Sequence, residues 1–135
     1  MPISISKLKG MSTELEAKLK ERGMYNSDQL LEAARTPSGR RALAEQASVE
    51  SRAILELANR ADLARVRGIG AVFSDLLEQA GVDTVRELAT RRPDNLHAKL
   101  LEVNAQKKLA GRVPTLDMVK DWVAQAKQLP RLLEY

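Results

Sequence analysis

Residues 63–81 read LARVRGIGAVFSDLLEQAG, in which an apolar stretch runs into a Gly-Ile-Gly tripeptide at 68–70 and a second apolar stretch follows. Glycine adopts backbone torsion angles barred to other residues and lets other groups approach the main chain closely. Phe73 and Leu77 then recur at helical spacing, and Gly81 interrupts the pattern. The stretch therefore predicts two helices joined by a tight turn, with the isoleucine buried between them.

The same pattern occurs earlier in the chain. Gly68 follows Gly10 by 58 residues, and Gly81 follows Gly23 by the same 58. Apolar residues match at this offset as well, with Leu15 on Phe73, Leu19 on Leu77 and Leu30 on Leu88. The register drifts beyond these pairs, which indicates an insertion in the second unit. We expect two related units, 1–61 and 62–135, packed as one compact body because about sixty residues bury only a small core.

Helix start signals recur along the whole chain. Pro37 and Pro93 stand at first helical positions, and Thr84 with Glu87 fits a capping box. The other expected caps are Ser12, Ser27, Thr36, Ser48, Asp62 and Thr115. No segment shows sustained alternation of polar and apolar residues. The predicted fold is all-α, a compact bundle of about eight short helices.

Composition excludes several classes of function. The 135 residues include no Cys and one His, so we expect no disulfide framework, no thiolate metal site and no His-pair zinc centre. Four aromatic residues are too few for the base-stacking sheet of RNA-binding modules. Phosphate-cradling and calcium loops are absent from the sequence, and we expect no cofactor and no metal.

Targeting signals are also missing. The first residues, MPISIS, lack the charged start and long apolar run of a secretory signal. No run of eighteen apolar residues occurs, so we expect no membrane-spanning helix. A cytoplasmic location is the resulting expectation.

Residues 63–81 resemble the helix-hairpin-helix motif, which belongs to the SAM-like helical folds. In DNA-binding relatives, this hairpin holds a backbone phosphate through main-chain N–H groups at the start of the second helix, a contact independent of base sequence. The resemblance implies that Gly68, Ile69 and Gly70 form the turn and that the N–H groups of 70–72 face the phosphate. Ala71 and Val72 depart from binding versions, which often have Lys or Arg there.

The first unit departs further from the motif. Ser12 stands where the second glycine belongs, and Glu14 lies two residues on. A carboxylate there would repel a phosphate, so we interpret residues 1–61 as a degenerate copy kept for structure.

Basic residues accompany the second hairpin. Arg65 and Arg67 precede the glycines, and Lys107 and Lys108 form a further pair. Residues 63–135 contain 12 basic and 9 acidic residues, whereas residues 1–62 contain 10 and 9. If these cations share a face with the hairpin, they supply phosphate neutralisation. The candidate nucleic-acid-binding residues are Arg65, Arg67, Gly68, Ile69, Gly70, Ala71, Val72, Lys107 and Lys108.

A broader resemblance covers residues 62–130. The segments that carry it are RGIG at 67–70, AGVDTV at 80–85, NLHAKL at 95–100, KKL at 107–109, RVP at 112–114 and WV at 122–123. They are similar to the bacterial family catalogued as domain of unknown function 4332. That resemblance implies a small helical fold related to helix-hairpin-helix proteins, and it brings no established activity or catalytic residue.

No catalytic constellation emerges from the remaining polar residues. His97 has no second His or Cys near it in sequence, and we interpret it as a capping or surface-bonded residue. The carboxylate pairs Glu14 and Glu16, Asp75 and Glu78, and Asp117 and Asp121 lie on helices that also carry Lys or Arg. We interpret them as solvated charge, and we expect no enzyme.

Two functions are consistent with these patterns. The first is a non-enzymatic module that contacts nucleic-acid backbone without sequence specificity, and the alternative is a protein-interaction or scaffold module whose hairpins serve only packing. Trp122 either packs in the core or anchors a protein partner. The apolar tail at 129–135 either docks on the body or contacts a second copy, and the oligomeric state stays open.

Overall fold

The computed structural model describes residues 2–135 and contains eight α-helices, with no strand in that range. The helices are α1 (Thr13–Glu21), α2 (Ser27–Ala33), α3 (Pro37–Ala47), α4 (Ser51–Leu63), α5 (Ala71–Gln79), α6 (Val85–Ala89), α7 (Pro93–Lys107) and α8 (Leu116–Gln128). A short 3₁₀ turn, Ile5–Lys7, precedes α1. The predicted all-α class with about eight short helices is confirmed.

Side-chain caps begin four of the helices at residues that the sequence predicts. The side-chain oxygens of Ser12, Thr36, Thr84 and Thr115 each accept a hydrogen bond from the backbone N–H three residues on. These caps satisfy donors that a helix cannot satisfy internally. Half of the expected capping box at Thr84 is present, because the side chain of Glu87 pairs with Arg91 instead.

Three expected caps are wrong. Asn26, not Ser27, caps α2, and Gln29 reaches back to complete a capping box. Ser48 ends α3 in a left-handed conformation (φ 57°) and does not begin the next helix. Asp62 lies in the last turn of α4, where its carboxylate serves tertiary contacts.

Buried apolar side chains form two clusters. The first extends from Ile5 to Ala61 and the second from Leu63 to Ala126. Helix α4 joins them, because it packs against α2 and α3 on one side and against α5 on the other. The division of the chain into domains at residue 61 stays a prediction.

Residues separated by 58 positions share backbone geometry. Gly10 and Gly68 have φ of +92° and +98°, and Gly23 and Gly81 have φ of +84° and +94°. Helices α1 and α5 begin 58 residues apart, and each has 9 residues. The sequence offset thus relates main-chain turns as well as residue types.

The C-terminal tail docks on the body. Leu133 is buried in the first apolar cluster, although the tail follows the helices of the second. The N–H of Glu134 donates to the carbonyl of Arg35 (2.8 Å), and Arg40 Nη2 donates to the carbonyl of Glu134 (2.6 Å). The tail therefore links the two clusters.

Candidate functional site

The turn between α4 and α5 is held against α8. Gly68 has a left-handed φ of +98°, and a Cβ built on it would lie 2.9 Å from Trp122 Nε1. Ile69 is buried, and its N–H donates to the carbonyl of Val66 (3.1 Å). Trp122 is itself buried against Phe73, with ring centroids 5.3 Å apart. Trp122 is thus a core residue that shapes the turn.

Gln125 on α8 clamps the backbone of Arg67 from both sides. Its Oε1 accepts from the Arg67 N–H (2.8 Å), and its Nε2 donates to the Arg67 carbonyl (3.0 Å). Gln125 Nε2 also donates to Asp121 Oδ2 (2.8 Å). The clamp leaves the Arg67 side chain exposed, and no carboxylate within residues 2–135 pairs with it.

Helix α5 begins without a side-chain cap. Gly70 occupies the N-cap position in an extended conformation (φ −113°), and no atom lies within 4 Å of a Cβ built there. Within residues 2–135, the N–H groups of Ala71, Val72 and Phe73 find no acceptor. The start of α5 therefore presents open backbone donors beside an exposed Val72.

The matching start of α1 differs in each of these respects. Ser12 Oγ accepts from the N–H of Leu15 (3.0 Å), so one donor is satisfied. Glu14 and Glu16 lie in the first turn, where their charge complements the helix dipole. The first turn is thus capped and acidic, whereas the second is open.

Arg65 is committed to internal contacts. Its side chain is 9% exposed, with Nη1 2.8 Å from Asp62 Oδ1 and Nη2 donating to the carbonyl of Pro130 (2.6 Å). Asp62 Oδ2 accepts from the N–H of Val85 (2.8 Å). Arg65 therefore ties the end of α4 to the tail, while Asp62 ties it to α6, and Arg65 does not flank the turn as an exposed cation.

The lysine pair lies away from the turn. Lys107 Nζ donates to Gln79 Oε1 (2.6 Å), at the last residue of α5. Lys108 is the left-handed C-cap of α7 (φ 51°). Because the nine residues of α5 rise about 13.5 Å, Lys107 Nζ contacts the helix at the end opposite Gly70. That Lys107 and Lys108 share a face with the hairpin stays a prediction.

Asp75 is buried and Glu78 is half-buried, whereas the sequence interpretation takes both as solvated charge. Arg60 on α4 reaches both, with Nη2 3.2 Å from Asp75 Oδ1 and Nε 3.0 Å from Glu78 Oε2. The contact between Arg60 Nε and Glu78 Oε2 lacks hydrogen-bond geometry. Both atoms are therefore buried without a hydrogen-bond partner among the described residues. Burial raises the pKa of Glu78, against the opposing effect of Arg60. Sequence reasoning missed Arg60, because nothing in its helical position marks it as a buried cation.

Other polar candidates serve structure. His97 is half-buried on α7, and its Nε2 lies 3.0 Å from the carbonyl of Pro114, just before α8. Across residues 2–135, no three His, Asp or Glu side chains gather in the manner of a metal site. In the same range, no helix combines the length and apolar character needed to cross a membrane.

Comparison with known proteins identifies the family. No curated protein and no solved structure matches the chain. The sequence profile of the family described as Domain of unknown function (DUF4332) matches residues 9–129. Since this match covers most of the sequence, including both glycine turns, the chain belongs to the DUF4332 family.

Proposed function

We propose that this protein is a non-enzymatic module that contacts the phosphate backbone of nucleic acid, without sequence specificity, through the turn between α4 and α5. The observation that carries the proposal is the start of α5, where the first N–H groups lack a side-chain cap and the space around the Cβ position of Gly70 is open. Helix N-termini of this kind favour anions because the unpaired donors and the helix dipole act together. Phosphates bear no base identity, so the contact does not read sequence.

Arg67 is the cation of this site. Its backbone is fixed by Gln125 while its side chain is exposed two residues before the tip of the turn. Asp75 and Glu78, the acidic residues of α5, face Arg60 and repel an incoming phosphate less than free carboxylates would. The proposed site is therefore Arg67, Gly68, Gly70, Ala71 and Val72, with Ile69 buried beneath it.

The proposal also assigns different roles to the two related units of the chain. We take residues 1–61 and 62–135 as tandem helix-hairpin-helix-like units, of which only the second retains an open turn. Ser12 and Glu14 replace the features that a phosphate site needs in the first unit. In this proposal the protein works in the cytoplasm, where nucleic acid is available to it.

A charge-reversal pair tests the proposal. A labelled DNA duplex is titrated with the wild-type protein at two salt concentrations, and we expect micromolar binding that weakens steeply with salt. Arg67→Glu should abolish this binding. Lys9→Glu is the matched control, because Lys9 is exposed at the equivalent position 58 residues earlier. Arg65 is unsuitable for this test, since reversing it would break the contacts to Asp62 and Pro130.

Three results would reject the proposal. One is no duplex binding at low salt, the second is binding that does not change with salt, and the third is an equal loss in Arg67→Glu and Lys9→Glu. The third result would indicate a diffuse attraction of the basic protein, without a site at the turn.

Protein interaction is the second candidate function. The specific observation is Val72, a 40% exposed apolar side chain at the start of α5, where a phosphate-binding hairpin benefits from Lys or Arg. Val72→Ser separates the two functions. It leaves the backbone donors in place and should preserve duplex binding, whereas a partner that buries Val72 should be lost from nuclease-treated pull-downs.

A further inference from the structure

A cationic groove lies between α6 and α8, apart from the α4–α5 turn. Its cavity measures about 290 Å³ and has an apolar floor that includes Ala89, Ala126 and Leu129. Three cations line the same cavity, and they are Arg86, Lys127 and Arg131. No carboxylate lines it.

These three cations form no ion pair within residues 2–135, and the carboxylates of Asp62 and Glu87 are occupied by other groups. One carboxylate oxygen of Asp62 accepts from Arg65, and the other accepts from the N–H of Val85. Glu87 accepts from both Nε and Nη2 of Arg91. Arg86, Lys127 and Arg131 are therefore not engaged in ion pairs within the described residues.

On other helices, exposed cations pair with carboxylates of the same helix. Lys18 pairs with Glu14, Lys20 with Glu16, and Arg52 with Glu56, each one turn apart on the same helix. Such pairs stabilise exposed helices slightly. Lys127 on α8 and Arg86 on α6 have no such neighbour, and their cations converge on one cavity.

The groove is held in shape by the tail. Arg131 Nε donates to the carbonyl of Leu133 (3.2 Å), and Leu133 is buried in the first apolar cluster. The preceding carbonyl, of Pro130, accepts from Arg65. These contacts hold the backbone at Arg131 in one place, so a ligand does not have to order this wall.

We propose that this groove binds an acidic protein segment that places an aliphatic side chain on the apolar floor and carboxylates against the three cations. Charge complementarity selects an anionic partner, and the floor selects one that also offers an apolar group. A nucleic-acid backbone satisfies the cations but has no aliphatic group to displace water from Ala89 and Leu129. The inference goes beyond the proposed nucleic-acid contact, because it uses a different surface of the chain.

A synthetic peptide in which one Leu is flanked on both sides by Glu residues is the probe. Binding is measured by fluorescence anisotropy with the full-length protein. Two reference peptides replace Leu with Ser, or every Glu with Gln. We expect each to bind at least about tenfold more weakly than the probe, because each removes one half of the complementarity.

Two sets of substitutions locate the binding. The combination Arg86→Glu, Lys127→Glu and Arg131→Glu should abolish it. Its matched control reverses three other exposed cations that form no ion pair in the described part of the chain, Arg41→Glu, Arg112→Glu and Lys120→Glu, for the same change in net charge, and should retain it. Ala89→Trp fills the floor without touching any charge and should also abolish binding, while thermal melting shows that the variant remains folded.

Several outcomes would overturn the inference: no binding of the probe peptide, equal loss in the two triple variants, indifference to the Leu-to-Ser change, or a DNA duplex that binds with the same dependence on Ala89→Trp. Arg67→Glu keeps this test independent of the nucleic-acid proposal, because it should leave peptide binding intact. Either proposal can therefore fail while the other stands.

Discussion

Gly68 lies directly against the indole of Trp122, so that a Cβ at residue 68 would approach Nε1 to 2.9 Å. The equivalent Gly10 faces α4, where a Cβ would stand 3.7 Å from both Arg60 Nη1 and Leu57 Cδ2. Leu57 and Trp122 occupy corresponding positions, since α4 and α8 begin 65 residues apart and these residues do too. The larger ring in the second unit therefore leaves less room at its turn.

Gly68→Ala should destabilise the protein by about 2–4 kcal/mol, because it combines a strained positive φ with a clash against a buried ring. Gly23→Ala is the matched control: its φ is +84°, but nothing lies within 4 Å of the added Cβ. We expect that variant to lose only about 1 kcal/mol. Urea denaturation measures both, and equal losses would show that contact with Trp122 contributes nothing.

Gly70→Ser should strengthen the fold and weaken duplex binding. Serine reproduces the cap that Ser12 makes in α1, and the extended backbone and open space at residue 70 accommodate it. We expect a gain in unfolding free energy of a few tenths to about 1 kcal/mol. Because the hydroxyl occupies a donor that a phosphate would use, duplex affinity should fall by about tenfold.

Gly70→Ala is the control for this effect. It adds a Cβ without a hydrogen-bond acceptor, so the N–H groups of α5 stay open and duplex binding should change by less than about twofold. Loss of binding in both variants would mean that residue 70 acts through close backbone approach. Unchanged binding in Gly70→Ser would remove the α5 donors from the proposed site.

Local signals explain how much of the fold can be predicted from the sequence. Ser12, Thr36 and Thr115 are correct because a cap and its target lie three residues apart. Ser48 is wrong for a local reason and Asp62 for a tertiary one. Ser48 closes α3 as a left-handed C-cap. Asp62 lies inside α4, and its carboxylate accepts from the distant N–H of Val85.

The candidate site is only partly predictable for the same reason. The glycine spacing correctly places the turn and the buried Ile69. What Arg65 and Lys107 do depends on residues distant in sequence: Arg65 binds Pro130 and Lys107 binds Gln79. The sequence shows how many cations the chain contains. It does not show which of them hydrogen-bond to other residues of the folded protein.

The tail predicts a further stability effect. Leu133 is 3% exposed in the first apolar cluster, so Leu133→Ala should cost about 2–4 kcal/mol. Leu101→Ala, at a 38% exposed position on α7, is the control and should cost less than about 1 kcal/mol. Chemical denaturation of the two variants measures the difference. A small loss at Leu133 would mean that tail docking contributes little to the fold.

Glu78 makes the free energy of unfolding depend on pH. Burial raises the pKa of its carboxyl above the usual 4.5, the Arg60 guanidinium opposes the shift, and Glu56, Asp75 and Asp83 reinforce it. A carboxyl with a higher pKa in the folded chain binds more protons when folded than when unfolded. Its contribution to stability is therefore fully present below the unfolded pKa and is lost as pH rises through the folded pKa.

Glu78→Gln isolates this contribution, because glutamine does not titrate while the other groups do so in both proteins. Between about pH 4 and about pH 7, the wild type should lose unfolding free energy relative to Glu78→Gln. Glu102→Gln, at an exposed position 3.8 Å from Lys99 Nζ, should show no such trend. Urea denaturation across this pH range measures the difference. If the wild type instead gains on the Gln variant as pH rises, attraction to Arg60 outweighs burial, and the cluster that joins α4 to α5 is a net source of stability at neutral pH.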